Sequence, residues 1–288
     1  QTIFSGYSDN ELSSKVIGLY HNKKKVEYHD ALNKEILVIV ENTPFYPEGG
    51  GQISDTGVIE TESCSLLVTN VQKINNIIVH QAILQSGVIR LGDDILLKIN
   101  NDRRKKIAAN HSSTHLLNQA LRDTLGDHVE QKGSLVTDKY LRFDFSHNKA
   151  LSIDEIRKIE TIISFEINSD RETLQKMSSY KDAIKSGALA FFDEKYSDDV
   201  RVVNVGTKSM ELCGGTHVSR TSFIRLFKVL SESSVSTGIR RIEAITGDEA
   251  YHSYQNLYDD TKQMSKLLNV KSIDCLLYTS DAADDSLR

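Results

Sequence analysis

Short apolar runs separated by polar turns dominate the first part of the chain. The runs fall at residues 16–20, 36–40, 66–68, 77–79 and 95–97. Short runs at such spacing, bounded by turn residues, are typical of strands joined by hairpins. The pattern predicts a small antiparallel β-barrel domain over residues 1–101.

One loop interrupts this barrel pattern. Residues 43–57 read TPFYPEGGGQISDTG and contain both prolines of the chain. Proline fixes the backbone, whereas three consecutive glycines let a ligand or another segment approach closely. A plain connection between strands does not need three glycines. The composition therefore favours a functional or domain-packing loop over a mere connection.

From residue 102 the pattern changes to an α+β one. Apolar residues at helical spacing predict a helix over residues 103–125, and Ser152 followed by Glu155 predicts the capped start of a second. Further predicted elements are helices at 180–186 and 249–268 and strands at 129–136, 139–145, 200–205, 223–231 and 238–245. We therefore predict an α+β domain over residues 102–247, with an antiparallel sheet packed by helices, and the helical start of a C-terminal region over residues 248–273.

Composition places the chain among ordinary soluble proteins. Its 288 residues are 39% hydrophobic and 26% charged, and no run approaches the ~20 apolar residues that a membrane span needs. Three scattered cysteines do not make a disulfide framework, which predicts a reducing, cytoplasmic setting. The chain begins with Gln1 instead of methionine, so we expect it to be an internal fragment of a longer protein.

Residues 274–288 differ from the rest of the chain. They are acidic and continue no pattern of the preceding residues, which predicts a disordered tail. The tail also resembles translated adaptor or vector sequence. We therefore expect that it is not native and that its deletion leaves the function of the chain unchanged.

The formal net charge of −5 argues against a protein that binds nucleic acid through charge alone. Basic clusters nevertheless occur at residues 23–25, 103–106 and 240–241. Such clusters are more often a solvated face than a phosphate site, so charge alone leaves RNA binding open. If RNA binds, we expect its phosphates to be contacted by Arg103, Arg104, Arg240 and Arg241.

Two histidines on the helix predicted over residues 103–125 are candidate metal ligands. His111 and His115 stand four residues apart, so their side chains point the same way. The pair alone fits hydrogen-bonded, packed histidines equally well, and Ser112 after the first histidine excludes the HExxH protease motif. Cys213 and His217, also four residues apart around two glycines, complete a His3Cys set. Three nitrogen donors and one thiolate favour one tetrahedral Zn²⁺ over Mg²⁺ or Ca²⁺.

Several motifs, taken in order, resemble the editing region of alanyl-tRNA synthetases, which free-standing alanyl-tRNA editing proteins share. They are PFYPEGGGQISDTG at 44–57, HSSTH at 111–115, QKGSLV at 131–136, LRFDFSH at 141–147, CGGTH at 213–217 and GIRRIEA at 238–244. The resemblance covers almost all of residues 3–270. The threonyl-tRNA synthetase editing domain has related HxxxH and CxxxH elements, but the glycine-rich loop and LRFDFSH fit the alanyl family better.

The resemblance implies a zinc-containing hydrolase that removes serine, and to a lesser extent glycine, attached by error to alanine tRNA. The family's zinc positions fall on His111, His115, Cys213 and His217. The predicted catalytic residues are Gln131 and Thr114, which would bind the serine hydroxyl. The glycine-rich loop near the 3′ end of the tRNA carries Gly50, Gly51 and Gln52, which would bind substrate or tRNA. By the same resemblance, ATP and Mg²⁺ would serve an aminoacylation core that this chain lacks.

The sequence leaves several alternatives open. One is a non-catalytic, zinc-stabilised module that binds tRNA, and another is a free-standing trans-editing deacylase. The expected partner in each case is alanine tRNA, bound by its 3′ aminoacyl end, with no membrane and with self-association through a C-terminal region outside the chain. Four protein ligands usually describe a closed zinc site, so the sequence does not decide whether zinc activates water or only positions the substrate.

Overall fold

A computed structural model describes residues 2–190 and 198–270 of the protein. The predicted tail at 274–288 and the last residues of the predicted helical region, 271–273, lie outside the described residues. No helix among the described residues is both long and apolar enough to cross a membrane.

The first third of the chain forms a closed antiparallel barrel. The strands of this region are β1 Ile3–Phe4, β2 Glu11–His21, β3 Lys24–Lys25, β4 Tyr28–His29, β5 Glu35–Val40, β6 Asn42–Thr43, β7 Gly57–Glu60, β8 Ser65–Ile74, β9 Ile77–Ser86, β10 Ile89–Arg90 and β11 Asp94–Ile99. Six of them follow one another in the order β11-β7-β8-β9-β5-β2, and β11 pairs back with β2 to close the ring.

The barrel forms because apolar residues alternate along its strands. In β5 the side chains of Ile36, Val38 and Val40 face inward and are almost completely buried. A strand places alternate side chains on opposite faces, so this period of two lines the interior with apolar groups. The same alternation in β11 buries Ile95 and Leu97, and the barrel core is continuous. The predicted small antiparallel barrel is confirmed.

Helix α1, Asn101–Leu125, is the central element of the second part. The side chain of Asn100 caps its start by accepting a hydrogen bond from the backbone N–H of Arg103, and Gly126 ends it with φ of 114°. All side chains from Ile107 to Leu117 are buried, including the polar ones. A helix buried on every side must carry its polar groups inside, so they have to find partners there.

The elements around α1 form two antiparallel sheets. The elements of this part are β12 Gln131–Val136, β13 Leu141–Ser146, α2 Ile153–Asn168, β14 Leu174–Ser179, α3 Tyr180–Lys185, β15 Asp199–Val205, β16 Ser209–Leu212, a 3-10 turn Thr221–Ile224, β17 Phe227–Ser236, β18 Ile239–Thr246 and α4 Gly247–Leu267. One sheet has the strand order β12-β13-β18-β17, and the other has the order β14-β15-β16. The molecule therefore has the predicted α+β class: a barrel followed by antiparallel sheets packed by helices.

The observed elements differ from the predicted ones in a few places. The strand predicted from residue 223 begins only at Phe227, because Thr221–Ile224 forms a 3-10 turn. That turn is held by the hydroxyl of Thr221, which donates to the carbonyl of Glu166 and accepts from the backbone N–H of Arg171. Strands β7, β14 and β16 were not predicted, nor were the two-residue strands β1, β3, β4, β6 and β10. The domain boundary at residue 101 stays a prediction, although β11 ends at Ile99 and α1 begins at Asn101.

A buried ion pair joins the barrel to α1. The guanidinium of Arg104 contacts the carboxylate of Asp55, with Nε 2.9 Å from Oδ1, and both side chains are more than nine-tenths buried. Arg104 also donates to the backbone carbonyls of Gly6 and Pro44, at 2.6 and 2.9 Å. These bonds place the glycine-rich loop of the barrel against the central helix.

Candidate metal centre

Four side chains from two distant segments meet beside α1. His111 and His115 project from one face of the helix, and Cys213 and His217 project from the turn that follows β16. One donor atom from each of the four lies within 4.8 Å of the others. The Sγ atom of Cys213 is 3.4 Å from Nε2 of His111 and 3.3 Å from Nε2 of His217. This His3Cys cluster could hold a metal ion.

Each imidazole of the cluster has a polar side-chain atom within 3.2 Å of its other nitrogen. Nδ1 of His111 lies 2.7 Å from Oε1 of Gln52, and Nδ1 of His217 lies 3.2 Å from the hydroxyl of Ser112. The remaining histidine, at position 115, has its Nδ1 3.0 Å from Oε2 of Glu211. An amide carbonyl oxygen only accepts hydrogen bonds, so Nδ1 of His111 carries the proton and Nε2 of this ring is left for a metal.

The close packing of these groups changes their protonation. Burial raises the pKa of the Cys213 thiol, but the adjacent imidazoles, above all those of His111 and His217, outweigh burial and hold this pKa well below its ordinary value. Burial and the neighbouring His111 lower the pKa of His217 to about 3. Burial also lowers the pKa of His115, but Glu211 and Cys213 overcome it and raise this pKa to about 10. A thiolate beside neutral His217 supplies two donors in their metal-binding forms.

The turn carrying Cys213 approaches the helix closely because it contains glycine. A Cβ atom on Gly215 would lie 1.9 Å from Cε1 of His111, so no other residue fits there without movement. The carbonyls of the turn are also held. The guanidinium of Arg201 donates to the carbonyls of Cys213 and Gly215 at 2.9 and 2.7 Å, and the hydroxyl of Tyr7 donates to that of Gly214 at 2.6 Å.

A cavity of about 740 Å³ opens beside the cluster. It brings together the helix, the glycine-rich loop and strand β12, and its lining includes Gly49, Gly50, Gly51, His111, Thr114, His115, Gln131, Ser134 and Cys213. The hydroxyl of Thr114 donates to the carbonyl of Asn110 at 3.0 Å, which leaves its oxygen able to accept. Nε2 of Gln131 donates to the hydroxyl of Ser134 at 3.3 Å. Both predicted pocket residues therefore line the same cavity as His111, His115 and Cys213.

The glycine-rich loop divides between the cavity and the interior. Gly50 and Gly51 line the cavity with φ of 57° and 79°, a conformation that glycine adopts at little cost. A Cβ atom on Gly51 would collide with Ser134, whereas nothing lies within 4 Å of that position on Gly50. Gln52, however, is completely buried. The predicted contact between Gln52 and tRNA needs correction, because its side chain points at His111 and away from the solvent.

The four arginines predicted to contact phosphates do not converge on the cavity. Arg240 pairs with Glu232, and Arg241 pairs with Asp144. Arg103 donates to the carbonyl of Ser54 at 2.6 Å and lies 3.4 Å from Asp138.

Arg104 is buried in its bonds with Asp55, Gly6 and Pro44. Packing against the barrel makes Arg104 a structural residue, which corrects the prediction that it contacts phosphate. For the other three arginines, phosphate contact would require that their carboxylate partners be shared or displaced.

Sequence reasoning missed several residues of the site. Glu211, Ser112, Ser134, Tyr7 and Arg201 were not singled out, although all contact the cluster, the turn or the cavity wall. For Glu211 a signal existed. It is a carboxylate between the apolar Met210 and Leu212, two positions before Cys213, and a charge placed in an apolar strand needs a partner. The others become neighbours of the site only through long-range packing.

Comparison with known proteins agrees with this architecture. Residues 1–103 match the family model described as tRNA synthetases class II (A). Residues 200–243, which contain the CGGTH turn, match the model described as Threonyl and Alanyl tRNA synthetase second additional domain. The two matches together define the class: the chain is part of a class II aminoacyl-tRNA synthetase, and it includes the second additional domain.

Curated relatives identify the family within that class. The chain is 46% identical to the alanine–tRNA ligase of Cupriavidus necator, over 89% of this chain and 29% of the relative. It is 42% identical to that of Nitrosomonas europaea, over 93% and 31%, and 45% identical to that of Bordetella pertussis, over 87% and 29%. The chain belongs to the alanyl-tRNA synthetase family. It spans about 30% of the length of the curated relatives it matches.

Proposed function

We propose that this chain hydrolyses the ester bond of serine, and to a lesser extent glycine, attached by error to alanine tRNA. One observation carries the proposal: three members of the His3Cys cluster, His111, His115 and Cys213, line a cavity of about 740 Å³ that is also lined by Thr114, Gln131 and the glycine-rich loop. A cavity of this size suits a small aminoacyl group with part of a nucleoside.

The donors of the cluster fit a single Zn²⁺. His111, His115 and His217 would offer imidazole nitrogen and Cys213 a thiolate, a set that suits tetrahedral zinc and not the oxygen-seeking Mg²⁺ or Ca²⁺. When bound, Zn²⁺ supplies a Lewis-acidic positive charge beside the cavity. The polar groups beside the three Nδ1 atoms support this assignment, because a metal-binding histidine ordinarily has such a group at its other ring nitrogen.

The walls of the cavity supply recognition of the mischarged amino acid. The oxygen of Thr114 and the amide of Gln131 can bond the serine hydroxyl, which alanine lacks. A small apolar pocket rejects an analogue with one extra hydroxyl only about 10²-fold, so a second, hydrolytic site is needed to remove the product. Gly50, with open space around it, lets the ribose and phosphate of the terminal nucleotide pass close to the backbone.

The remaining features of the proposal concern the longer protein. The chain would act as part of an alanine–tRNA ligase in the cytoplasm, where ATP and Mg²⁺ serve an aminoacylation core in segments outside this chain. Its partner would be alanine tRNA, bound at the 3′ aminoacyl end. Self-association would depend on a C-terminal region that is also outside this chain.

The test combines metal analysis with deacylation of Ser-tRNA(Ala). We expect the purified chain to contain about one zinc and to release serine, and Cys213→Ala to lose both the metal and the activity, because it removes the thiolate donor. The matched control is Cys64→Ala. Cys64 is buried in the barrel core, so its removal should lower stability without changing zinc content or the rate of hydrolysis by the folded protein.

Two outcomes would contradict the proposal. If Ser-tRNA(Ala) stays intact in the presence of the zinc-loaded chain while it binds tightly, the chain is a tRNA-binding module without turnover. If Cys213→Ala keeps both zinc and activity, the cluster is not the site of the chemistry.

A further inference from the structure

Gln52 of the barrel loop is completely buried and contacts both halves of the candidate metal centre. Its carbonyl oxygen, Oε1, lies 2.7 Å from Nδ1 of His111 on the helix. The same oxygen accepts the backbone N–H of Thr216 at 2.9 Å, and Nε2 of Gln52 donates to the hydroxyl of Thr216 at 3.0 Å. One amide therefore joins the HSSTH helix to the CGGTH turn.

The backbone around Gln52 is fixed against β12. The carbonyl of Gly51 accepts the N–H of Val136 at 2.7 Å, and the N–H of Ile53 donates to the carbonyl of Val136 at 3.1 Å. A short parallel bridge between Gln52 and Val136 results. These bonds hold the residue on both sides, so the amide reaches His111 from a rigid base and not from a freely moving loop.

The side chains of Gln52 and His111 lie so close to the CGGTH turn that the turn needs glycine at position 215. A Cβ atom on Gly215 would lie 2.3 Å from Nδ1 of His111 and 2.9 Å from Oε1 of Gln52. The space between the ring, the amide and the turn is therefore filled by the contact itself.

We propose that Gln52 is a positioning residue of the metal centre, through which the barrel fixes the ring of His111 for metal binding. An acceptor at Nδ1 keeps the proton on that nitrogen and leaves the lone pair of Nε2, which lies 3.4 Å from Sγ of Cys213, for the metal. The bonds from Gln52 to Thr216 hold the turn that carries Cys213 and His217 beside the same amide. This role rests on the metal site of the proposed function, and it replaces the predicted contact of Gln52 with tRNA.

The proposal has a specific energetic consequence. The partner of a metal-binding imidazole typically changes metal affinity 10- to 100-fold when it is removed. Gln52→Ala and Gln52→Met should therefore weaken zinc binding by about 10- to 100-fold, although neither changes a metal ligand. Methionine fills nearly the same volume as glutamine but accepts no strong hydrogen bond. Gln52→Glu keeps an acceptor oxygen and should restore most of the lost affinity.

The experiment measures the dissociation constant of Zn²⁺ for each purified variant by competition with a chelator. Co²⁺ in the same site gives a second readout, because its visible spectrum reports how the ligands are arranged. The matched control is Gln85→Ala. Gln85 is an exposed glutamine on β9 of the same barrel, and its removal should leave the zinc dissociation constant within about 2-fold of the wild type, the usual reach of a surface change.

Two results would overturn the proposal. If Gln52→Met binds zinc as tightly as the wild type while Gln52→Ala does not, the glutamine acts only by filling space. If both bind as tightly as the wild type, His111 does not need this partner. Failure of the wild type to bind zinc would overturn the metal site itself, so it is distinguished from failure of the Gln52 role alone.

Discussion

Thr114 has a hydroxyl that can accept a hydrogen bond inside the cavity. Its proton goes to the carbonyl of Asn110, one turn earlier in the helix, so its oxygen is the part offered to a ligand. The side chain is only 5% exposed, which shields such a bond from competing water. A bond made there strengthens because the local dielectric constant is low.

We predict that Thr114→Val slows the deacylation of Ser-tRNA(Ala) by about 3- to 10-fold, the usual value of one hydrogen bond. Hydrolysis of Ala-tRNA(Ala) should change little, since alanine has no hydroxyl to bind. Thr161→Val is the control, because Thr161 donates to the carbonyl one turn earlier in the same way but lies exposed on α2. An equal loss on both aminoacyl-tRNAs would assign Thr114 to general packing.

His80 is a buried, neutral histidine in the barrel. Its Nδ1 donates to the carbonyl of Val38 at 3.1 Å, so its Nε2 accepts from the hydroxyl of Thr43 at 2.8 Å. Burial lowers the pKa of this imidazole to about 4. The ring thereby anchors the segment that leads from Thr43 into the glycine-rich loop.

This histidine makes stability depend on pH. Between the unfolded pKa of about 6.5 and the folded pKa of about 4, the unfolded chain binds a proton at this side chain that the folded chain excludes. The free energy of unfolding should therefore fall as the pH drops through this window, by on the order of 3 kcal/mol from this group. Denaturant unfolding at several pH values measures the slope. The slope should become shallower in His80→Gln, and an unchanged slope would assign the effect to other groups.

At the scale of the single element, α2 begins with a capping box. The hydroxyl of Ser152 accepts the backbone N–H of Glu155 at 3.2 Å, and the carboxylate of Glu155 accepts the N–H of Ser152 at 2.7 Å. Two N–H groups that the helix cannot satisfy itself are thus bonded. Ile159, Ile163 and Ile167 then bury one face of the helix against the core.

Ser152→Ala should lower the free energy of unfolding by about 1 kcal/mol. Ser164→Ala serves as the comparison. Ser164 is exposed inside the same helix, where alanine is more favourable than serine. Denaturant titration of both variants gives the difference. Equal stability of the two would mean that the end of α2 is held by packing and not by its cap.

How far the elements and the site can be predicted from the sequence depends on how local their causes are. The pair at 111 and 115 follows from helical spacing alone, and the start of α2 follows from Ser152 and Glu155. Strand β14 was missed because its residues are nearly all exposed and show no alternation. The contacts of Gln52 with His111 and of Arg104 with Asp55 join positions 59 and 49 residues apart, so only the folded chain reveals them.

At the scale of the whole molecule, the candidate metal centre joins two segments about a hundred residues apart in sequence. Cys213 and His111 are separated by 102 positions. A ligand that binds the folded chain and not the unfolded one raises stability by RT ln(1 + [L]/Kd). Zinc would therefore act on the entire second part of the molecule and not only on its neighbours.

Removal of zinc should lower the melting temperature of the chain. At free zinc 100-fold above its Kd, the bound metal adds about 2.7 kcal/mol, and a chelator removes that contribution. Thermal unfolding with zinc, with chelator and with zinc restored measures the effect. Cys213→Ala should melt at the same temperature with and without chelator; a chelator effect that persists in this variant would indicate a metal site elsewhere.

The closure of the barrel has a consequence for how copies of the chain could associate. A ring of paired strands offers no free backbone N–H or C=O groups to an incoming strand, and the outer side of β12 is engaged by Gln52. Among the described residues, the strands longer than two residues that keep an open edge are β14 and β17, because the backbone of Leu189 pairs with β16. Two register shifts bend β17, and Lys176 and Lys228 place charges on these two strands. Growth by adding strand to strand is therefore discouraged at these two edges, and we expect any assembly of copies to depend on side-chain packing.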